Sequence, residues 1–388
     1  MRTPPVLRRL PIPTEDSFTS RLRSAAVTAR VGLWLGVCFA VAFVTGVLSH
    51  YAQLDHQPVP LPTRPVWGYQ VTQGLHVVAG TAAVPLLLVK LWTVFPRLFQ
   101  AVPRRAGELV RAVLERGSIA VLVAAAVFEL ATGVANVAQW YVWDFSFRSA
   151  HYAVAWVATG ALLLHVAVKL PVVRAVLTAD VDDTTHDRPG AVRPGPLTRR
   201  GLLRVTWLAA GVVTVAAAAG TVPALRRLAV LAPRDLAGGG IPINRTAREA
   251  GVVGAAAAES YRCVVTAGSR QVVLSRQQLL ALPQRTATLP IACVEGWSAS
   301  GSWTGVRMRD LLDLVGAPAG KEVRVSSLQS PHDTVLPASF ADDPKTLLAL
   351  ALDGDPLSLD HGFPARLIAP DRPGVEQVKW VARIEVLS

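Results

Sequence analysis

Residues 291–312 read IACVEGWSASGSWTGVRMRDLL, and the interpretation of the whole chain turns on them. Cys293 ends a short apolar run, and Glu295, Gly296, Trp297, Ser298 and Gly301 after it read as a loop. Order resumes at Trp303 and at a helix start near Asp310. Small loop-forming neighbours let a bulky group approach the backbone, so a thiol placed here is suited to hold a metal. A lone cysteine also serves as a small buried hydrophobe, and both readings stand on these residues alone. The only other cysteine beyond residue 240 is Cys263, so no disulfide framework is expected there.

Further along, residues 360–366 read DHGFPAR and residues 378–380 read VKW. In this order, C-V-E-G-W-S, W-T-G-V and D-H-G-F-P-A-R with V-K-W resemble the signatures of the sulfite oxidase family of molybdopterin enzymes. The resemblance implies a strand-rich α+β molybdopterin-binding oxidoreductase domain over residues 241–388, with Cys293 giving the thiolate on molybdenum. Arg366, Lys379, His332 and His361 become candidates for the pterin phosphate and ring, since Arg and Lys suit phosphate by charge and donor count. Asn244, Arg245 and Thr246 are candidates for an upper wall, whereas Arg372 and Lys345 read as solvated or surface-paired. One departure bears on substrate: animal and plant members of the family carry a tyrosine where this chain aligns Leu350, and leucine cannot donate a proton. Strands are expected at 261–266, 271–274, 323–327 and 378–386, with a short helix at 275–282 capped by Ser275.

Upstream the chain changes character. The mean hydropathy is positive and five apolar runs, about 31–51, 71–95, 118–140, 152–170 and 202–222, are long enough to cross roughly 30 Å of hydrocarbon as helices. Residues 1–30 read as an Arg- and Pro-rich cytoplasmic tail without a cleavable signal peptide, and 223–240 as a linker with a flexible DLAGGG segment. The net charge of +12 sits in short segments between the runs and not on one basic face, which argues against a nucleic-acid partner. Arg97, Arg104, Arg105, Arg111 and Arg116 follow the second run, and Arg174, Arg188, Arg193, Arg199 and Arg200 follow the fourth. The positive-inside rule then puts the N-terminus in the cytoplasm of a bacterial cell and the C-terminal domain outside. Trp67, Tyr69, Trp140, Tyr141, Trp143 and Tyr152 read as an interfacial belt at the outer boundary. Thr198 to Leu203 (TRRGLL) resembles a twin-arginine export signal placed internally, a route suited to domains folded around a cofactor.

Ionisable side chains inside a bilayer are costly, so His76, His151 and His165 are functional suspects. His151 and His165 are separated by about 21 Å of helical rise and lie within about 40° of one face. The pattern resembles the four-helix cytochrome b subunits of bacterial oxidoreductases, which implies at least one haem b with His76 as one axial ligand and His151 or His165 opposite. His50 is a further candidate near the outer end, and His56 and His186 read as solvated. The expectation is an all-α five-helix transmembrane bundle at 31–222 followed by the molybdopterin domain. Such an enzyme would exchange electrons between the lipid, through haem b and a quinone pool or other redox partner, and a small-molecule substrate such as sulfite, a sulfoxide or an N-oxide. A membrane electron-transfer protein with a non-catalytic molybdopterin-like tail is the alternative.

Overall fold

The computed structural model describes residues 13–101, 103, 105–234, 236–237 and 240–387. The first twelve residues of the expected tail, Arg104, and three residues of the expected DLAGGG linker lie outside the described residues.

Five helices dominate the N-terminal half: α1 (Ala25–Ala52), α2 (Gly68–Val94), α3 (Ala106–Val137), α4 (Phe147–Thr178) and α5 (Arg199–Ala218). All five are long and apolar enough to cross a membrane. Ala, Val and Leu fill them, and large apolar side chains such as Leu33, Val44, Leu163 and Leu208 are exposed, which suits a lipid surround and would be unfavourable in water. Pro85 and Pro171 lie inside α2 and α4, as membrane helices tolerate. Four of the helices are longer than the apolar runs, α3 and α4 by the most. Hydrogen bonding continues into charged turns, so α3 begins near Glu108 and Arg111, and Lys169 on α4 pairs with Glu115 on α3 at 2.5 Å. Helix length follows the backbone hydrogen bonds, whereas hydropathy reports only the portion in hydrocarbon.

Two compact units divide the chain: residues 1–40, 80–132 and 145–213 form one, and 41–79, 133–144 and 214–388 the other. In the first, Val27, Val31 and Leu86 form a buried cluster, and Trp34 meets Trp207 edge-on at 4.8 Å. The second joins the adjoining ends of α1, α2 and α3 to everything from residue 214 onward.

The strand-rich region of this second unit begins with β1 (Leu236–Ala237) and β2 (Ile241–Pro242), an antiparallel pair, followed by α6 (Val253–Ala257). After it come β3 (Arg262–Ala267), β4 (Arg270–Ser275), α7 (Arg276–Ala281), β5 (Gln284–Cys293), β6 (Trp297–Arg307) and α8 (Met308–Asp313). β7 (Val323–Ser327), β8 (Asp333–Leu336), α9 (Ala338–Ala341), β9 (Leu347–Leu352), β10 (Asp355–Pro356), β11 (Arg366–Ile368) and β12 (Val381–Val386) complete it. One sheet has the order β10-β9-β6-β5 with β11 also on β9, and the other β4-β3-β12-β7-β8. Only β3 and β12 pair in parallel among these named strands. The main core gathers Cys263, Val265, Leu311, Val325, Leu348, Leu350 and Ile384. Ser275 caps α7 as expected, its side chain accepting from the Gln278 N–H in a capping box.

The segment read as a loop after Cys293 is instead mostly strand. Trp297, Ala299, Gly301 and Trp303 alternate with Ser298, Ser300 and Ser302, a two-residue period that sets one face of β6 inward. Only residues 294–296 form the turn, and Gly296 makes it at φ +78°, in the left-handed region.

Candidate functional site

Cys293 is the last residue of β5, opposite Trp297, and is 4% exposed. The Gly296 N–H donates to its carbonyl at 3.1 Å and closes the hairpin. Leu289, Ile291, Trp297 and Trp303 pack in the same cluster. Burial, reinforced by the Glu295 carboxylate, pushes the thiol well above its ordinary range, while Arg234 and Lys379 act in the opposite direction. A thiolate here needs a strong positive partner, which a metal ion supplies.

Two cations from the second signature interact electrostatically with this sulfur. Arg366 opens β11, is 4% exposed and sits over the Trp303 ring at 5.4 Å. Burial brings its guanidinium down to about 10, with Cys293 opposing. One Nη donates to the His361 carbonyl at 3.2 Å, while its buried Nε has no hydrogen-bond partner. Lys379 Nζ donates to the carbonyls of Arg245 at 2.7 Å and Asp360 at 2.8 Å. Burial and the nearby Arg366 bring that amine down to about 7. Gly362, at φ +110°, lets the two stems close in: a Cβ there would stand 3.2 Å from the Cβ of both Arg366 and Lys379. Ser298 Oγ is also buried without a partner. Unsatisfied buried donors and cations beside a thiol fit an anionic, hydrogen-bonding cofactor. Among the described residues no three His, Cys, Asp or Glu side chains gather as a metal-holding group, so a metal at Cys293 would take its other ligands from that cofactor.

The remaining expected site residues divide. Arg245 joins the pocket through its carbonyl. His361 is 2% exposed, with Nδ1 at 2.9 Å from Ser358 Oγ and Nε2 donating to the Ile241 carbonyl at 3.0 Å. Both ring nitrogens are thus engaged by protein, and the residue serves the site by offering its carbonyl to Arg366. His332 lies in the turn between β7 and β8, in the sheet that does not carry Cys293, and its carbonyl accepts from the Ser327 N–H. Leu350 is buried in the main core, 1% exposed. Arg372 departs from the surface reading: it is 3% exposed, its Nη2 reaches Thr334, Val335 and Glu376, and its Nε and Nη1 lack partners. Lys345 is exposed as expected.

Groups missed in the sequence surround the cysteine turn. Glu295, 8% exposed, accepts from Trp297 Nε1 at 3.2 Å and Gln139 Nε2 at 2.9 Å, and the Tyr141 hydroxyl oxygen lies 3.5 Å from it. Burial holds its carboxyl above the ordinary range despite these donors and Arg234. Burial and Glu295 in turn push the Tyr141 phenol upward. Tyr69, read as part of an interfacial belt, is buried and bonds Ser49 at 2.9 Å. The available signal was the set of polar residues Gln73, Asn136 and Gln139 at the ends of apolar runs, which hydropathy alone passes over.

Of the membrane histidines, His76 has Nδ1 at 2.8 Å from the Ala42 carbonyl, to which it must donate. Such a bond orients an imidazole whose other nitrogen ligates a metal. Gly46 gives the ring room, since a Cβ there would meet His76 Cε1 at 3.0 Å. His151 bonds on both sides, Nε2 to Glu129 at 3.0 Å and Nδ1 to Thr132 at 3.3 Å. His165 Nδ1 is buried without a hydrogen-bond partner. Arg199 and Arg200, the pair resembling an export signal, both have local partners. Arg199 is buried against Asp187 and the carbonyls of Val181 and Asp183, and Arg200 pairs with Asp180 and Asp182.

Residues 250–388 match the family model described as oxidoreductase molybdopterin binding domain. The chain is 30% identical over 156 residues to the mitochondrial sulfite oxidase of Drosophila melanogaster, a match covering 33% of this chain and 27% of that protein. It is 34% identical over 111 residues to the putative protein-methionine-sulfoxide reductase subunit YedZ1 of Azospira oryzae, covering 29% of this chain and 42% of that one. With the uncharacterized oxidoreductase YuiH of Bacillus subtilis it shares 30% over 115 residues, covering 29% and 58% respectively. The matches span less than two thirds of each of these relatives.

Proposed function

We propose that this chain, whose residues 250–388 form a molybdopterin-binding oxidoreductase domain of the sulfite oxidase type after five helices able to cross a membrane, is a membrane-anchored enzyme moving electrons between a haem b in the lipid and an extracytoplasmic metal site. The observation that carries this reading is Cys293 buried beside Arg366, whose Nε has no partner, and Lys379.

In this reading residues 31–222 are the membrane domain, 223–240 the linker and 241–388 the catalytic domain. Cys293 ligates molybdenum, Arg366 and Lys379 bind the anionic part of the pterin, and His361 positions Arg366. When bound, the molybdenum cofactor supplies two-electron oxygen-atom transfer. The protein excludes water from the sulfur through Trp297 and Trp303 and holds the turn rigid. Sulfite and sulfoxide are the substrate classes named in two relatives, and an N-oxide shares their chemistry. The likeness to a subunit named as a putative protein-methionine-sulfoxide reductase favours reduction of a sulfoxide, whereas Leu350, packed in the main core, bears on the site only through the alignment. His76 is the first haem ligand. His151 or His165 supplies the opposite ligand in this reading. A quinone pool on the lipid side completes the circuit.

Iron and molybdenum counts with optical spectra on wild type and Cys293→Ser test this reading. The variant is expected to keep the haem bands and lose turnover; undiminished turnover refutes the role of Cys293.

A further inference from the structure

The Val294 carbonyl, one residue past Cys293, receives two side-chain amides from the helices. Asn136, in the last turn of α3, donates Nδ2 at 2.8 Å, and Gln73 on α2 donates Nε2 at 3.4 Å. Both side chains are 5% exposed. Their orientation is set from the other end, because the Tyr141 hydroxyl donates to Asn136 Oδ1 at 3.0 Å, and the Ser49 and Tyr69 hydroxyls, bonded to each other, lie 3.2 and 3.4 Å from Gln73 Oε1 with one proton left to donate to it. Arg234 ties the same turn down by donating to the carbonyls of Glu295, at 3.0 Å, and Val137. Gly296 presses against Val77 and Val137, where a Cβ would meet their methyls at 3.0 and 3.2 Å. Besides its own hairpin bonds, the turn holding Cys293 is therefore gripped by α2 and α3.

We propose that Asn136 and Gln73 are positioning residues for the metal site, fixing the Val294–Glu295 peptide, one residue past Cys293, as the point where electrons enter from the helices. Gln73 precedes His76 by three residues, so the two share a face of α2 one turn apart. Electrons tunnel more readily along bonded and hydrogen-bonded paths than across gaps, and this amide-to-carbonyl contact leads through the covalent backbone of Val294 to Cys293, which carries the sulfur. Each passage moves one electron, lost by reduced haem and gained by molybdenum; two passages complete the two-electron change, and no bond is made or broken along the peptide. The inference rests on the proposed assignments of Cys293 and His76.

The test uses the full chain in detergent as wild type, Asn136→Asp, Gln73→Leu and the double variant. Asn136→Asp keeps size and the acceptor for Tyr141 but removes the donor to Val294. Haem and molybdenum are counted, the paramagnetic resonance spectrum of the half-reduced metal is recorded, and electron transfer is timed after rapid reduction of the haem. Per loaded molecule, transfer is expected to slow at least tenfold in the double variant, with a shifted resonance spectrum. A rate and spectrum unchanged per loaded molecule, even where loading falls, would reduce the amides to a structural role and overturn the proposal. Should Asn136→Asp fail to fold, Gln73→Leu alone decides, with a smaller slowing of the same sign. Wild type lacking haem or molybdenum would instead refute the proposed function itself.

Discussion

Position 362 admits little but glycine. At φ +110° a side chain is strained, and its Cβ would press on the stems of Arg366 and Lys379. Gly362→Ala should therefore cost about 1–3 kcal/mol of stability and spread the two cations, read as a lower unfolding temperature and weaker retention of molybdenum. Lys379 carries a pH dependence of its own. In the cofactor-free protein its amine sits near 7, below the ordinary 10.5. Between those values the unfolded chain holds one more proton than the folded one, so stability rises with pH across this window by about 1.4 kcal/mol per unit. The difference in thermal stability between cofactor-free wild type and Lys379→Met should change with that slope between pH 7.5 and 9, since the raised thiols Cys263 and Cys293, which oppose it, are present in both. Cys293, Arg366 and Lys379 were legible because they lie within contiguous patterns. Arg372 was not, since an isolated arginine followed by Pro373 gives no sign that Thr334 and Glu376 lie beside it in the interior.

Among the elements, β6 shows how composition can mislead. Its Ser and Gly content suggested a loop, yet Trp297, Ala299, Gly301 and Trp303 carry a two-residue period and line the inner face. Gly305 in the same strand sits where the pairing with β9 shifts register, and a Cβ there would fall 2.1 Å from the Leu348 carbonyl oxygen. Backbone cannot yield as a flexible side chain can, so Gly305→Ala should destabilise the domain by more than about 3 kcal/mol and yield little folded protein on expression. The first turn of α2 depends on a residue far more distant in sequence, because the Asp371 carboxylate accepts from the Tyr69 N–H. Removing it in Asp371→Ala should cost about 1 kcal/mol, seen as earlier thermal unfolding, as for loss of an N-cap. Such long-range caps leave no local trace, whereas the capping box at Ser275 was readable because donor and acceptor are three residues apart.

At the scale of the whole molecule, five apolar runs and the two signatures sufficed to read helices followed by a strand-rich domain, while the grip of α2 and α3 on the cysteine turn stayed hidden. Hydropathy identifies what enters lipid but not which polar residue at a helix end meets a distant carbonyl. Export is where the two kinds of reading compete. Arg199 and Arg200 serve the positive-inside rule through charge alone, hold the segment before α5 through Asp187, Asp180 and Asp182, and would serve a twin-arginine receptor through their identity. Arg200 separates these roles, because its side chain is 57% exposed and its ion pairs are of the surface kind, worth little to stability. Arg200→Lys preserves the charge and can remake those pairs, yet removes the guanidinium. Asp180→Asn with Asp182→Asn removes the pairs and keeps the arginine. If the pair is read as an export address, the lysine variant retains its membrane helices but leaves residues 241–388 protected from protease added outside spheroplasts, while the double asparagine variant is cleaved like wild type. Equal cleavage of all three would mean that charge alone orients α5, and the twin-arginine route would be discarded.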